Sequence, residues 1–89
     1  MIKTQVTIIN KLGLHARAAA KFVSTCSAFA SNIETGHSGQ MVDGKSIMSI
    51  MMLAASKGTV LDLFIEGEDE HEALDAIQTL INNRFDEDE

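Results

Sequence analysis

The sequence predicts an α+β domain, an open-faced sandwich in which a four-stranded antiparallel sheet carries three helices on one face, in the order β-α-β-β-α-β-α. Three observations lead there. Two stretches alternate apolar and polar residues with the two-residue period of a half-covered strand, and two shorter ones flank a run of turn residues. Two others repeat apolar residues at the three-and-four spacing of an amphipathic helix, and a third, shorter one is apolar all round. The strands are separated by short turns, which favour antiparallel pairing, and apolar helical stripes need a common cover, which one sheet face supplies while the other stays wet.

Met1 to Ile9 alternates, with Ile2, Val6 and Ile8 on one face and Lys3, Gln5 and Thr7 on the other. Asn10 to Gly13 breaks the pattern, and from Ala16 to about Phe29 a helix is expected whose stripe is Ala19, Phe22, Val23, Cys26 and Ala30. Ala20, Ser24 and Ser27 fall off the stripe and stay available to a partner. Ser31 to Thr35 and Gln40 to Asp43 are short strands joined by Gly36-His37-Ser38-Gly39, whose glycines and serine are turn chemistry. His37 is therefore expected on a surface loop, without the neighbours a metal ligand would need.

Asp43-Gly44 turns the chain, and Ser46 opens a second, shorter helix in which Ile47, Met48, Ile50, Met51 and Leu53 run all round the axis. Ile50 and Leu53 are assigned to the core. Met48 and Met51, with Ile47 at the border, are assigned to an exposed and adaptable apolar patch. Thr59 to Glu66 alternates as the fourth strand, with Leu61, Leu63 and Ile65 on one side. Asp69, followed three residues later by Glu72, opens the last helix, whose apolar face is Ala73, Leu74, Ile77, Leu80 and Ile81. His71 lies in its exposed first turn.

With 89 residues, 45% of them hydrophobic, residues 1–89 read as one small domain able to bury its own core. The formal net charge of -6 argues against nucleic acid, which calls for a basic patch. Much of the negative charge lies in Glu66 to Asp75 and in Asp86 to Glu89, the latter an acidic tail expected to fray. The half around residue 15 is nearly balanced, with Lys11, Arg17, Lys21 and Lys45 among few acids, so an acidic partner could be steered there. Cys26, the one cysteine, lies on an apolar helix face and is expected to be a buried small hydrophobe. No signal-like start and no apolar run of the roughly 18 residues a membrane span needs are present, so a cytoplasmic location without membrane contact is expected; a monomer is expected as well.

The stretch that organises the chain is Ile9 to Val23. His15 sits where a loop meets a helix, and four alanines between Ala16 and Ala20 strengthen that helix. At a helix start the first backbone N–H groups lack partners and the macrodipole is positive, so an anion is stabilised there. Arg17 adds a guanidinium fork suited to phosphate. Imidazole is a good nucleophile near neutral pH, since much of it is uncharged. The combination suggests a phosphorylatable histidine, although a solvated helix end with a surface histidine and arginine would show the same spacing.

The segment Lys11-Leu12-Gly13-Leu14-His15-Ala16-Arg17, the Ala-rich helix after it, and Gly44-Lys45-Ser46-Ile47-Met48 closely resemble the histidine-containing phosphocarrier family of the bacterial phosphotransferase system over essentially the whole chain. Within it, the opening Ile9 to His15 and the close Asn83 to Glu89 look most like the nitrogen-related branch (NPr), with the sugar-transport branch as the alternative. Most members carry proline where this chain has Ala18, which bears on fine positioning of the site. The resemblance implies a carrier rather than an enzyme, with neither metal nor cofactor. His15 would take a phosphoryl group at its delta nitrogen from the phosphohistidine of an enzyme I-type donor, charged by phosphoenolpyruvate, and pass it to an enzyme IIA-type acceptor. Arg17 and the amides of Ala16 and Arg17 would hold the phosphoryl oxygens, and Ala20, Ile47, Met48 and Met51 would form the docking surface. A regulatory docking module, switched by phosphorylation of His15, is the reading from a different class.

Two other motifs compete. Gly39 to Ser46 matches the phosphate-loop pattern G-x-x-x-x-G-K-[ST]. Its first glycine falls in a hairpin turn, its middle reads as a strand, and the chain leaves no room for a nucleotide-binding sheet, so nucleotide hydrolysis is rejected. Ser46 itself reads as an N-cap, while the family resemblance also makes it a candidate regulatory serine, addressed by a dedicated kinase. The Asp-Ser-Leu context of an acyl-carrier serine is missing, and strands do not suit that all-helical fold.

Overall fold

The computed structural model describes all 89 residues. Strand β1 (Ile2–Thr7) leads through a loop to helix α1 (Ala16–Ser27), and strands β2 (Asn32–His37) and β3 (Gln40–Asp43) follow. Helix α2 (Ile47–Met52), strand β4 (Val60–Glu66) and helix α3 (Glu70–Asn82) complete the fold, and a tight turn at Arg84–Asp86 leads into the C-terminus. The sheet is four-stranded in the order β1-β4-β2-β3, antiparallel throughout. It is the open-faced arrangement of three helices on one sheet face that the alternation and helical spacing predict.

Register explains why the alternation was readable. Ile2, Thr4 and Val6 of β1 stand opposite Ile65, Leu63 and Leu61 of β4, while Ile33 and Thr35 of β2 flank β4 on its other side, opposite Ile65 and Leu63. These side chains form the covered face, on which Ile33, Leu61, Leu63 and Ile65 are almost fully buried. The one fully buried hydroxyl in that row, Thr35 Oγ1, donates to the Asp62 carbonyl at 2.8 Å and so is satisfied. Phe22 and Cys26 of α1, Ile50 of α2, and Ala73, Ile77 and Ile81 of α3 close the core from above. Burial pushes the Cys26 thiol up to about 12, leaving it an inert hydrophobe.

Four local expectations change. The hairpin loop is Ser38-Gly39 alone, with φ of 57° and 78°, the left-handed pair of a two-residue turn whose twist suits antiparallel strands. Gly36 is a strand residue, and its lack of a side chain reflects crowding: a Cβ there would lie 1.8 Å from the Gln40 carbonyl oxygen. His37 is accordingly no surface-loop residue. It ends β2 half-buried, and its Nε2 donates to the Leu53 carbonyl at 3.0 Å, tying the hairpin to the end of α2. Helix α1 ends at Ser27 and leaves Ala30 exposed, so Ala30 drops from the stripe; Ala18, fully buried, joins it.

Asp69 does precede α3, but its carboxylate caps nothing in that helix. It accepts instead from the amides of Ala30 (2.8 Å) and Ser31 (2.9 Å) and from the Ser31 hydroxyl, locking the α1–β2 loop to the start of α3. The Ser31 hydroxyl, with the two amides, holds the Asp69 carboxyl below its ordinary value. Similarly, the Met1 ammonium, 2.6 Å away, holds Glu70 low and fastens the N-terminus to α3.

The largest correction concerns the tail. Expected to fray, it folds back over the molecule: Phe85 is fully buried, and Arg84, Phe85 and Asp86 take left-handed φ values of 56°, 53° and 63°. Lys21 Nζ donates to the Phe85 carbonyl at 2.9 Å, and the Lys11 amide donates to the Glu89 carbonyl. A lone aromatic with a core site to fill outweighs the repulsion that four acids, Asp86 to Glu89, would otherwise use to keep the end in solvent.

Candidate functional site

The loop from Ile8 to His15 is held rigidly. Gly13 has φ +68°, and a Cβ on it would meet the Ala55 carbonyl oxygen at 2.5 Å, so only glycine permits the close approach in which the next amide, Leu14, donates to Ala55 at 2.8 Å. Asn10, fully buried, closes the turn from inside by donating Nδ2 to the Gly13 carbonyl at 2.9 Å. The chain thus reaches α1 in one fixed direction, with His15 as its N-cap residue.

His15 is an N-cap that does not cap. Its backbone is extended, its carbonyl accepts from the Ala19 amide at 2.8 Å, and its side chain bonds none of the first-turn amides. The N–H groups of Ala16, Arg17 and Ala18 therefore have no protein acceptor, and no acidic residue lies in the first turn to neutralise them. Arg17 is exposed and makes no ion pair. Three unpartnered amides and one unpaired guanidinium lie together at a positive helix end, an arrangement whose chemistry suits a tetrahedral anion. Ala18 belongs to that set, which sequence reasoning confined to Ala16 and Arg17.

The imidazole is 29% exposed, enough to react and too little to wander. Its Nε2 is bonded to Glu87 Oε2 of the tail. Its Nδ1 makes no hydrogen bond and is not buried. Glu87 is held in turn by Asn10 Nδ2, which reaches Oε1 at 2.9 Å; the bond from Asn10, and after it that from His15, hold the Glu87 carboxyl below its ordinary value. A shallow depression results, with Lys11, Leu12, His15, Ala16, Arg17 and Lys21 on one side and residues 86–89 on the other. The near-balanced charge expected around His15 is thus altered by acids arriving from the far end of the sequence. Lys45 is not among the cations here; its Nζ donates to the Phe29 carbonyl at 2.7 Å behind α1.

Ser46 does what an N-cap does, its Oγ accepting from the Ser49 amide at 3.4 Å. It lies outside the depression, at the start of α2, which packs beside α1. Ala20, Ile47, Met48 and Met51 are exposed, as expected, and so are Leu12 and Met52, which were not singled out. In the phosphate-loop match, Gln40 to Asp43 is a strand and the following helix has six residues, so no phosphate cradle exists. No group of three or more His, Cys, Asp or Glu side chains converges on a metal-sized site, and no helix is long and apolar enough to cross a membrane.

Asn10 and Glu87 are the site residues that sequence reasoning missed. No local pattern joins positions 77 residues apart. The only available hint was Phe85, an aromatic in an otherwise polar ending.

A family model described as the PTS HPr component phosphorylation site matches residues 2–83. The phosphocarrier protein HPr of Pseudomonas aeruginosa is 60% identical over 86 residues, covering 96% of both chains. That of Xylella fastidiosa is 53% identical over 88 residues, covering 99% of both. Among solved structures, HPr-C-His from Thermoanaerobacter tengcongensis superposes with a TM-score of 0.95 at 46% identity, covering each chain completely. Likeness of this extent in sequence, fold and matched phosphorylation-site model leads to one conclusion: the chain belongs to the HPr family, the phosphocarrier proteins, not enzymes, of the phosphotransferase system.

Proposed function

We propose that His15 carries the phosphoryl group, taking it at Nδ1 from the phosphohistidine of an enzyme I-type donor and giving it to a histidine of an enzyme IIA-type acceptor. One observation supports this above the others: His15 stands at the start of α1 with Nδ1 free, beside three amides and a guanidinium that have no other partner. Transfer of this kind is mainly a matter of in-line positioning and charge stabilisation, and it must run both ways, which a shallow, half-open site permits. Arg17 and the amides of Ala16 to Ala18 receive the phosphoryl oxygens. The exposed Ala20, Ile47, Met48 and Met51, extended by Leu12 and Met52, supply apolar ground on which a larger protein can settle. The carrier works as a monomer in the cytoplasm.

Incubating the chain with phosphoenolpyruvate and an enzyme I-type donor tests the assignment. The wild type acquires one acid-labile phosphoryl group, and His15→Ala acquires none while keeping its circular dichroism; labelling of the mutant would refute it.

We assign the carrier to the nitrogen-related branch on the likeness of Ile9 to His15 and Asn83 to Glu89, while the curated relatives carry the plain name HPr. Faster phosphorylation by a nitrogen-branch donor than by a sugar-branch donor is the expected result, and the reverse order would move it to the sugar branch. Ser46 offers a second, regulatory reading. A phosphate there would sit at the start of α2, tolerated by the fold, and place negative charge beside Ile47 and Met48. A docking role switched by phosphorylation of His15 is compatible with the same surface, and equal partner affinities with His15 free and phosphorylated would exclude it.

A further inference from the structure

We propose that Glu87 is a positioning residue for phosphoryl transfer: by holding Nε2–H of His15 it leaves Nδ1 as the bare nucleophilic nitrogen and stabilises the imidazolium formed when Nδ1 is phosphorylated. This rests on His15 being the phosphoryl acceptor.

The geometry leaves little freedom. An ionised carboxylate only accepts hydrogen bonds, so the ring nitrogen facing Glu87 Oε2 has to be the one bearing hydrogen. The neutral ring then carries its lone pair on Nδ1, the nitrogen without a partner. Glu87 does not reach this position by chance of a flexible end. Buried Phe85 anchors the tail two residues earlier, and Asn10 grips the second carboxylate oxygen from the floor of the loop. Asn10 Nδ2 serves both Glu87 and the Gly13 carbonyl, so one buried amide sets the loop bearing His15 and the acid that orients its ring. The charged groups around the pair are Lys11, Arg17 and Lys21 on one side and Asp86, Asp88 and Glu89 on the other; the bonds from Asn10 and His15 and the charge of Arg17 favour the ionised form of Glu87.

In the step itself, the Nδ1 lone pair forms the new N–P bond as the bond from phosphorus to the donor's imidazole nitrogen breaks, and that electron pair stays with the donor. His15 becomes an N-phosphoryl imidazolium that still holds hydrogen on Nε2. Its positive charge lies against Glu87, as the imidazolium of a catalytic triad lies against its buried aspartate, and the phosphoryl oxygens lie toward Arg17. Onward transfer reverses each of these changes.

The test compares wild type, Glu87→Gln and Asn10→Ala in full-length chains, each checked for folding by circular dichroism, with Glu72→Gln as a control that removes a charge from the exposed start of α3. Replacing a charge-assisted hydrogen bond by a neutral one is expected to slow phosphorylation of Glu87→Gln about tenfold and to shift the phosphoryl equilibrium toward the donor by a similar factor. Donor affinity stays unchanged, and Glu72→Gln behaves as wild type. In nitrogen-15 NMR the His15 Nε2 proton of the wild type exchanges slowly with water, and that of the variants rapidly. Wild-type rates and equilibrium in Glu87→Gln would overturn the proposal, as would faster transfer, which would make the tail an obstruction. Should His15→Ala still be labelled, the carrier assignment fails instead, so the two failures are told apart.

Discussion

Truncating Phe85 to alanine is the most informative single perturbation, because it joins the stability of the tail to the chemistry of the site. The ring is fully buried, and removing a buried phenylalanine costs about 3–5 kcal/mol when the surroundings cannot adjust. Here they can. The three consecutive residues Arg84, Phe85 and Asp86 hold left-handed φ values that an L-residue adopts at about 1 kcal/mol or more each. Once the ring no longer anchors it, the turn can relax, returning part of that strain, and a net loss of about 2 kcal/mol remains. In a domain of this size that lowers Tm by roughly 10 °C. The chain has no tryptophan or tyrosine, so calorimetry or far-ultraviolet circular dichroism is the assay. The same variant frees Glu87 from His15, so the His15 Nε2 proton should exchange rapidly while the rest of the fold persists at 25 °C. A Tm within about 2 °C of wild type would show that Phe85 does not hold the tail, and the account of Glu87 would lose its anchor.

Other consequences are as direct. Arg17→Ala removes an exposed, unpaired guanidinium and should slow phosphorylation roughly ten- to a hundredfold with donor binding partly kept; unchanged kinetics would deny it a role. Ala18 donates no hydrogen bond from its amide and lies in the first turn, so Ala18→Pro should stabilise by about 0.5 kcal/mol through the unfolded chain and raise Tm by about 3 °C, and a fall would mean the ring does not fit. Asp69, Glu70 and Glu87 all have carboxyls held below their ordinary values. Their stabilisation is complete above the ordinary carboxylate range, near pH 4, and is lost as pH falls through each depressed value, so Tm should drop on acidification below that point. Asp69→Asn should lower Tm at pH 7, with the gap from wild type narrowing as the acid limit is approached; a gap independent of pH would place the effect outside the Asp69 charge.

Elements with a strong period could be read directly. The fourth strand was legible because Leu61, Leu63 and Ile65 alternate with residues on the open face, and the last helix because Ala73, Ile77 and Ile81 repeat once per turn. The second helix was legible in a finer sense: buried Ile50 and Leu53 separate from exposed Met48 and Met51 as their positions around the axis require. Gly36 misled because glycine marks both turns and crowded strands, and His37 was displaced with it. Asp69 misled because an acid before a helix can cap its own helix or, as here, bind another loop.

The amino-acid order by itself determined the layers of this protein, the place of His15 at a helix start and the presence of Arg17 beside it, since each depends on residues within a turn or two and on periods that burial imposes. Only the tertiary structure decided that the acidic end closes over that histidine, with Phe85 in the core and Glu87 shared between Asn10 and His15. Contacts between the two ends of a chain leave no period in it; they are selected by which cavity fits a ring and which buried amide lacks an acceptor, and those exist only after the sheet and helices have assembled.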